Sequence, residues 1–274
     1  MNAWQQLNVA FPDWNGAESL AVASIIPLLA EAEADGQVPS WFFIRKQPAW
    51  RIRYRLSGTG HPTETTIWRR LDDLAASGCI SGWNHGVYEP EVHAFGGDEA
   101  MRAAHRFFHG DSNGCLAYLA SERATRQPDR RRELSLLLCA RMLRAAGLDW
   151  YEQGDVWARV AAHRDPPASA TAAHADGLRE AARRLIGADI EGQLRPGTSL
   201  AHVADWADVY LAAGRELARL NSDGCLHRGV RDVLAHHLIF AWNRLGLPHA
   251  TQAVLASTAK AAVFGPDPTS ARTL

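Results

Sequence analysis

The sequence contains only two lysines, Lys46 and Lys260, although 29 basic residues nearly balance 30 acidic ones. A GC-rich coding sequence would by itself favour arginine over lysine at most basic positions. It also means that an anion in a binding site would meet planar, bidentate guanidinium groups. The formal net charge of −1 argues against a surface that neutralises many phosphates, so we expect no direct contact with nucleic acid.

Long apolar runs and metal-binding or nucleotide-binding motifs are also absent. The most apolar stretch, residues 20–30, is short and contains Pro27, and the N-terminus has no basic start followed by an apolar segment. The four cysteines form no CxxC pair or zinc-type spacing, and the sequence has no GxSxG, HExxH, P-loop or GxGxxG motif. These absences predict a cytoplasmic protein with reduced cysteines, no membrane association, no metal and no cofactor.

The first ninety residues alternate strand and helix patterns. Strands are predicted from WQQLNVAF, SWFFIRK, WRIRYRL and the extended ISGWNHGVYEP, and helices from AESLAVASIIPLLAEAEADG and residues 63–76. The order β-α-β-β-α-β is that of a ferredoxin-like split βαβ sandwich, with both helices on one face of an antiparallel sheet. We therefore predict an α+β fold whose sandwich subdomain spans residues 1–97.

The remainder of the chain is predicted to be helical. Helix patterns occur in DEAMRAAHRFFHG, RRELSLLLCARMLRAAG, YEQGDVWARVAAHR, AHADGLREAARRLIG, SLAHVADWADVYLAAGRELARL and CLHRGVRDVLAHHLIFAWNRLG. We expect a helical subdomain over residues 98–265, packed on the sandwich, with a loop around Pro166 and Pro167 and a frayed tail at 266–274.

Three arginines alternate along the third predicted strand. Arg51, Arg53 and Arg55 should share one face, with Ile52 and Tyr54 on the other. Guanidinium groups on one face repel each other unless an anion or a carboxylate lies between them. An anion site and a solvated face paired with helix carboxylates are both consistent with this spacing.

Three further motifs carry chemistry-bearing side chains. In VYEPEVHAFGG, Pro90 and the glycine pair should hold Glu91 at the edge between the sheet and the helical half. In FFHGDS, polar residues follow a predicted helix end, where Asp111 or Ser112 could simply cap the next helix. In AHHLIFAWNRLG the seven-residue spacing places His237 with Arg244, and His236 with Asn243, on shared helical faces.

Read together, WFFIRKQPAWRIRYRL, VYEPEVHAFGG, AMRAAHRFFHGDS and HHLIFAWNRLGL resemble, in order and spacing, the thiopeptide-type bacteriocin biosynthesis domain. The small C-terminal domain of class I lantibiotic dehydratases belongs to this family, and the resemblance suggests a stand-alone version of it. It implies that a separate, glutamyl-tRNA-dependent protein glutamylates Ser or Thr of a precursor peptide, comprising leader and core. The small domain would then eliminate glutamate to leave dehydroalanine or dehydrobutyrine.

The resemblance also implies roles for individual residues. The Arg-x-Arg pair of the family falls on Arg51 and Arg53, its acidic position falls on Glu91, and His237 or His236 would transfer the proton. Side chains expected to bind substrate are Arg55, Tyr88, His109, Asp111, Ser112, Asn243 and Arg244. We expect the arginines and a late-helix imidazole to converge on one pocket.

Two positions depart from the family pattern. Ala94 stands where the full-length enzymes tend to carry an arginine, and Ile239 and Ala241 stand where their histidine lies. These departures keep two alternatives open: a pyridine synthase that joins two dehydroalanines by [4+2] cycloaddition and expels the leader, and a non-catalytic subunit that binds the precursor peptide. The oligomeric state is also open, a homodimer included.

Overall fold

A computed structural model describes residues 4–58, 61–125, 129–164 and 172–265. The predicted loop around Pro166 and Pro167 and the predicted tail at 266–274 lie outside these residues. The chain forms two compact units. The sheet unit comprises Met1–Pro90 and Phe108–Gln127, and the helical unit comprises Glu91–Phe107 and Pro128–Leu274.

Strands and helices follow each other in the predicted order as far as the last predicted helix, and one further helix comes after it. The strands are β1 (Gln5–Ala10), β2 (Ser40–Lys46), β3 (Ala49–Arg55) and β4 (Gly82–Gly86). The helices are α1 (Ala17–Leu20), α2 (Ile26–Ala34), α3 (His61–Ala76), α4 (Asp98–Thr125), α5 (Arg131–Ala145), α6 (Trp150–Ala162), α7 (Ala172–Gly187), α8 (Ala204–Ser222), α9 (Val230–Leu245) and α10 (His249–Phe264). A π-helical turn at Ala21–Ile25 joins α1 to α2, and 3₁₀ turns lie at Glu191–Gln193 and Ala201–Val203. The mixed α+β class is confirmed, with a strand-rich N-terminal part followed by helices.

The sheet is antiparallel throughout, with its strands in the order β2-β3-β1-β4. Alternating residues of the strands give it one apolar face, as the period-two pattern predicts. The buried side chains on this face are Leu7, Val9, Trp41, Phe43, Trp50, Ile52 and Tyr54. Phe43 and Trp50 stack with their ring centroids 4.9 Å apart. The other face carries Arg53.

Helix α4 runs without interruption for 28 residues and crosses the boundary between the two units. The sequence predicts that it ends near Gly110, and this is wrong, because Gly110 adopts the helical conformation within α4. A glycine inside a helix costs only about 1 kcal/mol, which the burial of neighbouring apolar side chains readily offsets. The units divide at Pro90, Phe107 and Gln127, and the subdomain boundary expected at residue 97 stays a prediction.

Within the helical unit, α5 packs on α8, and α6 packs on α9 and α10. The approach of α5 to α8 depends on Gly214, because a Cβ there would collide with the carbonyl oxygen of Met142. Helix α10 has no counterpart among the predicted helices. Its buried face consists largely of alanines, and such small side chains give a weak apolar periodicity. Among the described residues, no helix has both the length and the apolar character needed to cross a membrane.

Candidate functional site

Arg53 lies in the middle of the second sheet face, which we call the arginine face. Directly opposite residues of antiparallel strands point to the same side, and Arg53 lies opposite Gln6 on β1 and Phe42 on β2. Its side chain is only 8% exposed. The Cζ atom lies 4.1 Å from the ring centroid of Tyr88 and 5.4 Å from that of Phe42, so the guanidinium makes cation–π contacts with both rings.

Side-chain amides continue from Arg53 across the arginine face. Arg53 Nε donates to Gln6 Oε1 at 2.8 Å, and Gln6 Nε2 donates to Asn8 Oδ1 at 3.1 Å. Asn8 Nδ2 in turn donates to Asn84 Oδ1 at 2.8 Å. We call Gln6, Asn8 and Asn84 the amide row. Sequence reasoning missed them, although the spacing of Gln6 and Asn8 on β1 places both on one strand face.

The three arginines of β3 differ in burial. Arg53 is buried, Arg51 is half-buried opposite Asn8, and Arg55 is exposed at the end of the strand. Within the described part of the chain, Arg51 makes no ion pair or side-chain hydrogen bond. Ile52 and Tyr54 are buried on the opposite face, as predicted. Arg51 and Arg55 thus expose part of their guanidinium groups on this face, whereas Arg53 is buried.

His109, Asp111 and Ser112 do not follow a helix end; they lie within α4. Ser112 Oγ accepts from the backbone N–H of Phe43 at 3.4 Å, and His109 Nδ1 lies 3.3 Å from the backbone N of Trp41. These contacts satisfy outward-facing groups of the edge strand β2, which would otherwise be unpaired. His109 Nε2 also lies 3.2 Å from Glu33 Oε1, and Asp111 is 1% exposed. The polar atoms of His109 and Ser112 therefore bind groups of the sheet unit.

In the helical unit, α9 places His237 in an aromatic pocket. The side chain is 1% exposed, and its ring centroid lies 5.0 Å from that of Phe95 and 5.3 Å from that of Phe107. Burial, with a smaller contribution from the nearby positive charge of Arg244, lowers the pKa of His237 to about 3. The imidazole of His237 is therefore neutral at pH 7.

The neighbouring His236 is half-buried and differently constrained. Its Nδ1 lies 3.1 Å from the carbonyl oxygen of Asp232. Because a carbonyl only accepts, Nδ1 carries the proton, and Nε2 presents the lone pair. Burial lowers the pKa of His236, as does the positive charge of Arg228, whereas the charge of Glu91 raises it. His236 thus combines partial access with a basic nitrogen whose tautomer is fixed.

Arg228 is a further residue that sequence reasoning missed. Its Nη1 donates to the carbonyl oxygen of Ala94 at 3.3 Å. The turn at Gly96 and Gly97 permits this contact, because the backbone N–H of His227 donates to Gly96 O at 2.9 Å and a Cβ on Gly97 would lie 2.9 Å from His227 Nδ1. Both glycines have positive φ, 88° and 106°. No local sequence signal at Arg228 predicts this position.

The remaining predicted residues of α9 follow the seven-residue spacing. His237 and Arg244 are both buried, whereas His236 and Asn243 are both half-buried, which confirms the two faces. Asn243 Oδ1 accepts from Gln252 Nε2 at 3.0 Å, a contact that ties α9 to α10. The side chain of Arg244 is 0% exposed, with Cζ 5.6 Å from the Phe107 ring centroid.

Glu91 is exposed and belongs to the helical unit, whereas Tyr88 belongs to the sheet unit. The predicted convergence of the β3 arginines with a histidine of α9 also involves residues of two units, and it stays a prediction.

Over the described ranges, no group of three or more His, Cys, Asp and Glu side chains is arranged to hold a metal ion.

Comparison with known proteins supplies the family. The sequence matches the family model of the lantibiotic biosynthesis dehydratase C-terminal domain over residues 4–263. No curated protein sequence matches the chain.

Several solved structures share the fold, among them the following three. The tRNA-dependent lantibiotic dehydratase MibB from Microbispora sp. 107891 has 20% identity and a TM-score of 0.70, over 99% of this chain and 28% of MibB. TsrL has 19% identity and a TM-score of 0.61, over 98% of this chain and 99% of TsrL. The pyridine synthase TbtD from thiomuracin biosynthesis has 16% identity and a TM-score of 0.61, over 94% and 97%. The chain thus spans little more than a quarter of the length of MibB. Because the family model matches nearly the whole of this chain, the chain belongs to the family of lantibiotic dehydratase C-terminal domains.

Proposed function

We propose that the chain acts in the maturation of a ribosomally synthesised peptide, as a lyase that eliminates glutamate from glutamylated Ser or Thr. The observation that carries the proposal is the arginine face, where Arg51 and Arg53 lie on one side of β3 in a member of the dehydratase family. A separate protein would glutamylate the precursor peptide beforehand. The same proposal assigns the sheet unit to the ferredoxin-like class, supported by the strand order β2-β3-β1-β4.

The elimination consists of three bond changes. A base removes the proton from Cα, the electrons of that C–H bond form the Cα=Cβ double bond, and the Cβ–O bond breaks so that glutamate leaves with the oxygen as a carboxylate. Guanidinium groups suit the last step, because they bind a carboxylate bidentately and stay charged throughout. We assign carboxylate binding to Arg51, with Arg53 beside it in the same face.

His236 fits the base better than His237 does. A general base works best when the pKa of its conjugate acid lies near the operating pH. His237 is buried and its pKa lies near 3, so its imidazole is a weak base that peptide does not reach. His236 is half-buried and presents Nε2. We therefore assign proton removal to His236 and a packing role to His237.

The direct test incubates the purified chain with a glutamylated precursor peptide and follows the peptide mass. We expect loss of glutamate from the wild-type chain and little loss from His236→Asn or Arg51→Gln. The matched control is His93→Gln, which removes an exposed imidazole close to Glu91. An unchanged glutamylated mass, with a competent dehydratase run in parallel, would refute the lyase assignment.

Pyridine synthesis is the second candidate, because the chain covers 97% of TbtD and carries Ala94 in place of the family's arginine. A thiazole peptide with two dehydroalanines separates the two reactions. Formation of a macrocycle with release of the leader would favour the cycloaddition, and a linear product would exclude it.

A non-catalytic, peptide-holding subunit is the third candidate. It predicts that Arg51→Lys with Arg53→Lys lowers affinity for the peptide but leaves turnover intact once peptide is saturating. A collapse of turnover at saturation would rule it out.

A further inference from the structure

The amide row connects Arg53 on β3 to Asn84 on the edge strand β4. We infer that Gln6, supported by Asn8 and Asn84, is a positioning residue that aims the Arg53 guanidinium. The inference rests on the proposed function, since it concerns how the face would hold the leaving carboxylate.

The direction of the amide row follows from Arg53. A guanidinium has only donors, so the Nε–H of Arg53 requires an acceptor, and Gln6 must turn Oε1 toward it. Gln6 Nε2 then has to donate to Asn8 Oδ1, which leaves Asn8 Nδ2 to donate to Asn84 Oδ1. Each amide orientation is thus set by the preceding one. The row constrains one edge of the guanidinium through a chain of three hydrogen bonds.

The chemistry of the acceptor matters as much as its position. Another buried arginine, Arg141, is held by the carboxylates of Glu191 and Asp208. Such pairing cancels the charge, which suits a structural ion pair. Gln6 offers Arg53 the same kind of acceptor oxygen but carries no charge.

Gly86 on β4 makes room for the amide row. A Cβ at this position would lie 2.5 Å from Gln6 Nε2, so the amide would have to shift, and 3.0 Å from Asn8 Nδ2, a tight contact. The backbone of Gly86 does not have the positive φ that would by itself require glycine. Glycine at this position therefore leaves space for the Gln6 amide. Gly86→Ala should displace that amide without altering a charged group.

The test compares Gln6→Glu, Gln6→Met and Gly86→Ala with the control Gln5→Glu. Gln5 lies opposite Tyr54 and faces the other side of the sheet, so the control adds the same charge one residue away. We measure kcat and KM for glutamate elimination, the inhibition constant of free L-glutamate, and thermal unfolding. Hydrogen bonds to charged groups are worth enough that each Gln6 variant should lower kcat/KM and weaken glutamate inhibition by roughly 10- to 100-fold. Gln5→Glu should change either by no more than about twofold.

A second readout follows the Arg53 Nε–H signal by NMR, assigned through its loss in Arg53→Lys. We expect this signal to shift and to exchange faster with solvent in Gln6→Met and Gly86→Ala, and to stay unchanged in Gln5→Glu. Unaltered Nε–H exchange in Gln6→Met would overturn the amide row, whatever the enzyme catalyses. Unaltered glutamate inhibition in a folded Gln6→Glu would overturn its role in anion binding. A wild-type chain that leaves the glutamylated peptide intact would instead refute the proposed function.

Discussion

His237 should make the folded state sensitive to acid, because the aromatic pocket excludes the protonated imidazole. The pKa of His237 lies near 3 in the folded chain, against a value of 6.5 for an unperturbed histidine. As pH falls below 6.5 the unfolded chain takes up a proton that the folded chain refuses, so the free energy of unfolding decreases. The loss from this residue grows until pH reaches about 3 and is constant below it.

The magnitude follows from the two pKa values. Between pH 7 and pH 5 the unfolded imidazole becomes almost fully protonated while the folded one stays neutral, which corresponds to about 2 kcal/mol of lost stability. A change of this size is a substantial fraction of a typical unfolding free energy of about 5–15 kcal/mol.

Urea unfolding at pH 7 and pH 5 measures this effect in the wild type and in His237→Leu. The pH-dependent loss should be about 2 kcal/mol smaller in the variant, because the other titrating groups cancel in the comparison. His93→Gln removes an exposed imidazole and should leave the wild-type dependence in place. The reasoning fails if wild type and His237→Leu lose the same stability between the two pH values.

Three further predictions concern activity and packing. Arg53→Lys should lower kcat/KM for elimination about 10-fold or more in steady-state assays, because lysine loses the Nε contact to Gln6 and the planar stacking on Tyr88. Gly214→Ala should destabilise the chain by about 1–3 kcal/mol in urea unfolding, because the added methyl forces α5 and α8 apart. Asp149→Ala should cost about 1 kcal/mol by the same assay, because Asp149 caps α6 through a reciprocal hydrogen bond with Glu152. Full activity of Arg53→Lys would contradict the first prediction. An unchanged unfolding free energy of Gly214→Ala or an unchanged unfolding midpoint of Asp149→Ala would contradict the other two.

Some of the candidate site could be predicted from local patterns. The two-residue period of β3 places Arg51 and Arg53 on one side, opposite Ile52 and Tyr54, because successive side chains of a strand alternate. The seven-residue spacing on α9 pairs His237 with Arg244 because two helical turns return to the same face. Both relations depend on backbone geometry alone, so the sequence suffices for them.

Burial and partners depend instead on contacts between distant residues. Arg53 is held by Gln6, 47 positions away, and Arg228 binds the carbonyl of Ala94 across 134 positions. Local propensity also predicts the wrong end for α4, because the packing on either side of Gly110 outweighs the preference of one glycine.

The sequence by itself determined the order of strands and helices as far as α9, the arginine side of β3 and the family, since these follow from local periodicity and ordered motifs. Only the tertiary structure decided that His237 is a buried neutral imidazole and that Gln6 holds Arg53. The physical reason is that desolvation and hydrogen bonding depend on which remote side chains surround a group, and no local spacing records that.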